Sequence, residues 1–279
     1  MSLGTFLSEP ELAGLDIEDP DRINRHLKIL SRKRMIREVF EEFYHQCMRL
    51  DQKYFGSVSG KRVEVGAGIS FFKKLYPEVI VTDINPAPHL DMVLDAQATG
   101  FEDHSVRVIY GINCFHHFPA PEAFFKELLR IVKPGGGAIL IEPYYGLLAS
   151  LLYKKLFASE NFDKLDPHWS SMGRGVMRGA NQALSYTVFH RDRPVFERQF
   201  PDLEIVHAAP LRNYCRYFLS GGLNFKQLLP DLAIPLLKLT ETVMIPVERI
   251  TALHHILVLR KRNPAGICDS DSGKKHSHE

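Results

Sequence analysis

Apolar and polar positions along the chain fall into two regimes. From Asp21 to Tyr54, Ile23, Leu27, Leu30, Ile36, Val39, Phe40, Phe43 and Tyr44 recur at three- and four-residue steps, which predicts helix, with Asp21 placed to cap its start. From Lys61 the period changes. Short apolar runs at 61–66, 79–83, 91–95, 106–112 and 137–142 predict strands, with helical patterns at 69–76 and 121–132 between them. Alternation of this kind predicts an α/β fold around a parallel sheet.

Beyond Pro143 the alternation gives way to two long detours. Residues 146–190 hold apolar helical pieces and a Gly-, Ser- and Met-rich stretch, and residues 212–253 are strongly apolar. Between them lie a helix opened by Pro194 and a strand at 203–208; a last strand follows at 255–259. Both detours exceed what a sheet connection needs, which predicts helical caps over a site. The second could simply be helices that cover the sheet, or it could close over an apolar acceptor, meet another subunit or rest on a membrane surface. The expected division is 1–55 as leader and helix, 56–263 as the main domain with its insertions, and 264–279 as a disordered tail. Residues 1–20 read as a loose leader, and Arg32-Lys33-Arg34 as a solvated helix face.

Composition narrows the function classes. The 35 basic and 33 acidic residues nearly cancel, so no nucleic-acid partner is expected. Met1 to Pro10 lacks the pattern of a secretory signal, and the most apolar stretch, 228–247, is broken by charges and prolines. Cys47, Cys114, Cys215 and Cys268 are scattered, so neither a metal site nor a redox pair is expected, and a cytoplasmic location fits, peripheral to a membrane if 212–253 touches one.

The candidate chemistry gathers at strand ends. The first strand runs into Glu64-Val65-Gly66-Ala67-Gly68, whose glycines let backbone approach a ligand. The second ends at Asp83, where a carboxylate can accept from two ribose hydroxyls. The third ends at Asp95-Ala96, and the fourth leads into Asn113-Cys114-Phe115-His116-His117-Phe118. These ends would line one crevice. Either histidine could take a proton at neutral pH, or both could simply pack the loop. Glu142, Tyr144 and Tyr145, after the fifth strand, could face substrate, and Trp169 reads as packing.

In order and spacing, the ExGxG loop, Asp83, Asp95-Ala96, His116-His117-Phe118 and the Lys133-Pro134-Gly135-Gly136 turn resemble the class I S-adenosylmethionine (SAM) dependent methyltransferases. The resemblance covers about residues 61–143 and the final strand. It implies a Rossmann-like sheet, mostly parallel with an antiparallel last strand, and SAM as cofactor. It implies that Gly66, Ala67 and Gly68 meet the methionine part, Glu64 helps position the amino group, Asp83 binds the ribose, Asp95 the adenine amino group with Ala96 beside the ring, and Asn113 lies along the methionine moiety. Ser70 departs from the pattern where many members carry a third glycine, and Val106-Arg107 where they carry an aromatic and an acid. The implied activity is methyl transfer, with His116 or His117 as the candidate base, to a small-molecule, saccharide or lipid-linked acceptor. Two other classes compete. An NAD(P)-dependent oxidoreductase would want glycine where Phe71 stands, and a SAM-binding protein without catalysis would share every motif.

Overall fold

The structure, a computed structural model, describes residues 7–156, 160–171 and 177–263. The expected tail at 264–279 and parts of the first detour lie outside the described residues.

Helices α1 (Arg22–Arg32) and α2 (Arg34–Phe55) precede strand β1 (Lys61–Val65). Then come α3 (Phe72–Leu75), β2 (Val79–Asp83), β3 (Met92–Val93), β4 (Val106–Ile112), α4 (Pro121–Ile131) and β5 (Val132–Pro143). After β5 lie α5 (Leu147–Lys155), α6 (Arg193–Gln199), β6 (Leu203–Pro210), α7 (Tyr214–Leu219), α8 (Ile234–Val243), α9 (Glu248–Thr251) and β7 (His254–Lys261). The seven strands form one sheet in the order β3-β2-β1-β4-β5-β7-β6. Pairings from β3 through β5 are parallel, and β7 runs antiparallel to both β5 and β6. Chain order reverses between β1 and β4, which opens a crevice at their carboxyl ends.

Alternate residues of the central strands feed two cores. On one face Val63, Val65 and Ile109 pack with Phe124, Phe125 and Leu128 of α4 and Phe196 of α6. On the other, Val81, Val108 and Tyr110 meet Ile36, Val39 and Phe43 of α2. A sheet covered on both faces needs apolar side chains on both, hence the near-continuous apolar runs.

The N-terminal region departs from the expected single helix. Lys33 is extended (ψ 93°) and separates α1 from α2. Its buried ammonium donates to the carbonyls of Ser220 (3.1 Å), Gly222 (2.9 Å) and Phe225, and pairs with Glu9 at 2.7 Å. The basic run is therefore an anchor at its centre rather than a solvated face, flanked by Arg32 paired to Glu9 and Glu11 and by Arg34 paired to Glu38. The described part of the leader is tied down at its start: Glu9 N donates to Asn224 O and Lys226 N to Leu7 O. Asp21 makes no side-chain cap; its carboxylate accepts from Asn24 and Arg25 instead.

Two further boundaries differ. The helix expected from residue 69 begins at Phe72, because Ser70 closes a turn on Ala67 O. Strand β5 begins at Val132, so the Lys133-to-Gly137 segment runs within the strand, with Gly137 against Leu259 O where a Cβ would stand 1.8 Å away.

Candidate active site

The glycine turn after β1 is strapped onto the end of β2. Ala67 N donates to Thr82 O (3.0 Å), and Gly68 N donates to Asp83 Oδ2 (2.8 Å). Gly66 and Gly68 both take left-handed backbone (φ +60° and +52°), yet they differ in surroundings. A Cβ on Gly66 would stand 2.5 Å from Cys114 Cβ, whereas one on Gly68 would meet nothing within 4 Å. Gly66 thus lets the β4 loop close onto the turn, and Gly68 faces the open crevice.

Glu64 points from β1 into the protein and is buried. Burial pushes its carboxyl up to about 8; the Ser70 hydrogen bond works against that shift and the nearby Asp83 charge adds to it. Ser70, read from sequence only as a missing glycine, donates to Glu64 Oε2 at 2.6 Å. Asp83 accepts from Gly68 N and Asn85 N through different oxygens, so each oxygen keeps a lone pair. Asp95 is half-buried and accepts from Gln97 through one oxygen only, with buried Ala96 beside it.

Asn113 holds φ +52°, an uncommon conformation for a residue with a side chain. Its backbone N donates to Ile141 O, and its Oδ1 is buried without a hydrogen-bond partner among the described residues. Such a group is destabilising unless a ligand completes it. A buried carboxyl in Glu64 that a cation would ionise, free lone pairs on Asp83 and Asp95, open space at Gly68 and this acceptor are a set that a cationic, hydroxyl-bearing nucleoside cofactor such as SAM fits.

The histidine pair sits on a short 3-10 turn, Phe115–His117. Glu142, fully buried at the end of β5, receives Cys114 N, Phe115 N and His116 N, and accepts from His116 Nδ1 at 2.6 Å. It therefore organises the turn. His116 Nε2 donates to Glu160 at 3.2 Å. Burial alone would lower the His116 value, but the charges and hydrogen bonds of Glu142 and Glu160 outweigh it and raise it to about 10. At neutral pH this imidazolium has no lone pair, so the structure does not favour His116 as a base. Ring nitrogens of His116 and His117 and an oxygen of Glu160 lie within 4.8 Å of one another, a donor set with metal-ligand character. With both His116 nitrogens engaged as donors, the cluster is an ion-paired triad. His117 is the more exposed of the two, with Nε2 3.9 Å from Glu160.

The first detour lies over this turn. Asn181 N donates to His116 O and Ser171 N to Pro119 O. Tyr144, Ala149 and Tyr153 pack with Tyr214, Ala252 and Leu253 of the second detour, so the two meet beyond the ends of β5 and β7. Tyr145 lies among Tyr144, Tyr186, His190 and His255, with ring centroids 4.5 to 5.6 Å away. Trp169 packs, as expected, and donates to Asp192.

Residues 63–140 match a family model described as a methyltransferase domain. Over 98 residues the chain is 35% identical to a Mycobacterium ulcerans protein named "Probable phthiotriol/phenolphthiotriol dimycocerosates methyltransferase 2", covering 28% of this chain and 38% of that protein. Over 42 residues it is 48% identical to 2-methyl-6-phytyl-1,4-hydroquinone methyltransferase of Synechocystis, covering 15% of this chain and 13% of that one. The chain thus aligns with well under half the length of either relative. Among solved structures it is similar to geranyl diphosphate C-methyltransferase from Streptomyces coelicolor, with a TM-score of 0.49, 13% identity, and coverage of 92% of this chain and 89% of that one. The segment that matches the methyltransferase-domain model thus runs from β1 into β5, within a sheet ordered 3-2-1-4-5-7-6.

Proposed function

We propose that this chain transfers a methyl group from SAM to an acceptor that is largely apolar, either a small molecule or a lipid-linked one. The observation that carries the reading is Asn113: a left-handed residue with a buried, unpartnered Oδ1, held beside the glycine turn through Cys114 and Gly66. In this reading Glu64 and Asn113 Oδ1 hold the methionine end, Gly66, Ala67 and Gly68 form its backbone cradle, Asp83 takes the ribose hydroxyls, and Asp95 takes the adenine amino group with Ala96 beside the ring.

SAM supplies an activated methyl on a cationic sulfur, so the residues around it have mainly to align the acceptor and exclude water. The His116 imidazolium, fixed between Glu142 and Glu160, positions the turn that carries Asn113 and His117. His117 takes the proton where the acceptor arrives as a hydroxyl. Tyr145 and Tyr186 offer an aromatic wall for the acceptor. The two relatives named above, whose names speak of phthiotriol dimycocerosates and a phytyl hydroquinone, support the apolar class.

Calorimetry with SAM, S-adenosylhomocysteine and NADH tests the cofactor. Binding of the first two and not the third is expected; the reverse would replace this reading with the oxidoreductase. Incubation with labelled SAM and a panel of quinols, isoprenoids and sugars then separates catalysis from mere binding. Tight SAM binding without transfer to any acceptor in a cell extract would favour a non-catalytic role.

A further inference from the structure

Helix α8 carries apolar residues on two opposite sides, with Lys238, Thr240 and Thr242 between them. Ile234 and Leu237 are buried against the protein, and Glu241 on the same side is bound to Arg216. The opposite side presents Leu236, Leu239 and Val243, preceded by Leu232 in the 3-10 turn that leads into the helix, at spacings of four, three and four residues and exposed by 90% for Leu232 and 65%, 60% and 71% for the others. Such spacing makes one stripe along a helix. The surface continues through exposed Ile250 on α9 to α5, which packs against α9 and exposes Leu147. Several large apolar side chains exposed on neighbouring helices mark an interaction site.

Charge says what covers it. Lys154 and Lys155, on the same side of α5 as Leu147, are exposed, as is Arg249 on α9; none of the three has an ion-pair partner among the described residues. The carboxylates on this side of α8 and α9 are engaged, Glu241 with Arg216 and Glu248 with Arg212, whereas Asp231, Glu38, Glu41 and Glu42 border the Leu232 end, so the cationic rim lies toward α9 and α5. A leucine stripe rimmed by uncompensated cations fits an anionic lipid surface. It fits a second copy of the chain poorly, because a two-fold contact would bring the same cations together. None of the described helices is long and apolar enough to cross a membrane, so the contact is one that lies in the interface plane.

We propose that α8, α9 and α5 form a docking face for an anionic bilayer, with α8 lying in the headgroup layer and Lys154, Lys155 and Arg249 meeting lipid phosphates. The face adjoins Tyr145 of the proposed aromatic wall in sequence, since α5 begins at Leu147, directly after Tyr145 and Gly146. Docking is a property of this surface and stands whether or not the methyl-transfer reading holds.

The test is flotation of the full chain with phosphatidylcholine vesicles that contain or lack phosphatidylglycerol. The chain should float with the anionic vesicles and much less with the neutral ones, and high salt should weaken it. Leu236→Asp and Leu239→Asp should each reduce the bound fraction about tenfold or more, since each replaces a buried leucine contact by a charge. Lys154→Glu with Lys155→Glu should weaken binding to anionic vesicles alone. These side chains are exposed, so an unchanged thermal midpoint and SAM affinity would show the fold intact. Absence of flotation with anionic vesicles overturns the proposal, as does flotation indifferent to both leucine changes. A dimer seen by light scattering and dissolved by Leu236→Asp, without flotation, would assign the face to a second copy instead.

Discussion

Ser70 Oγ lies 2.6 Å from Glu64 Oε2 and donates to it across the glycine turn. The same hydroxyl accepts from Phe72 N, and Tyr44 OH lies 3.2 Å away, so the carboxyl of Glu64 is held by a network reaching back to α2. The serine gives the buried acid a fixed orientation that glycine could not supply.

That buried acid predicts two pH dependences of opposite sign. The folded value of Glu64, about 8, lies above its ordinary 4.5. The folded chain therefore keeps a proton that the unfolded chain loses, and the contribution of this group to stability is full below pH 4.5 and declines as pH rises through 8, by up to about 1.4 kcal/mol per unit. SAM binding should run the other way. A methionine ammonium favours the ionised carboxylate, so affinity should weaken as pH falls from about 8 toward 6. Calorimetry across that range checks it, and in Glu64→Gln the slope should flatten. Ser70→Ala removes a stabiliser of the carboxylate and should move the midpoint upward. An affinity independent of pH in the native chain would remove Glu64 from the cofactor site.

The two glycines of the turn should separate folding from binding. Gly68→Ala meets open space and left-handed backbone, so it should lower stability by only about 1–2 kcal/mol while weakening SAM affinity. Gly66→Ala drives a Cβ into Cys114 and should lower stability more, with partial recovery in the Gly66→Ala, Cys114→Gly double variant. Denaturant midpoints and SAM titrations on the three variants check the separation. Equal effects of the two single changes on both measures would contradict it.

A third expectation concerns the sheet's far end. Asp51, buried on α2, accepts from Arg62 Nε and Arg107 Nε, both at 2.8 Å, and from Tyr110 OH at 3.0 Å. Asp51→Ala leaves the guanidiniums without a counter-charge and should lower stability by about 3–5 kcal/mol. Arg107→Met leaves Asp51 two partners and should lower it by only about 1.5–3 kcal/mol. Urea midpoints at unchanged m-value read both. Equal losses would mean that Arg62 and Tyr110 do not hold Asp51 without Arg107.

The same network illustrates what the sequence conceals. Strands at 79–83 and 106–112 were legible to the residue, because burial on both sheet faces writes itself as a local apolar run. Arg107, a departure from the family pattern, was not legible as structural, because its partner lies 56 residues away on a helix. Lys33 looked like surface because its partners, Ser220, Gly222 and Phe225, belong to the second detour. At the site, residue types at strand ends located the crevice, whereas the roles of Ser70, Glu142 and Glu160 depend on contacts that no local spacing encodes.

The histidine pair should split into two roles. His116 donates to both Glu142 and Glu160, so His116→Ala strips a buried carboxylate of its partner and should lower stability by about 3–5 kcal/mol. His117 lies farther from the carboxylates and nearer to solvent. His117→Ala should therefore leave the thermal midpoint and SAM affinity close to native. With a hydroxyl acceptor it should lower kcat by about 10²–10⁴-fold, the usual contribution of a positioned base. Raising the pH should recover part of that rate, because more of the acceptor then arrives deprotonated, while His116→Ala should show no such recovery. Single-turnover methylation with labelled SAM across a pH series reads both variants. A His117→Ala chain that turns over at the native rate would assign this residue to packing and leave alignment by the cofactor cradle as the whole of the catalysis.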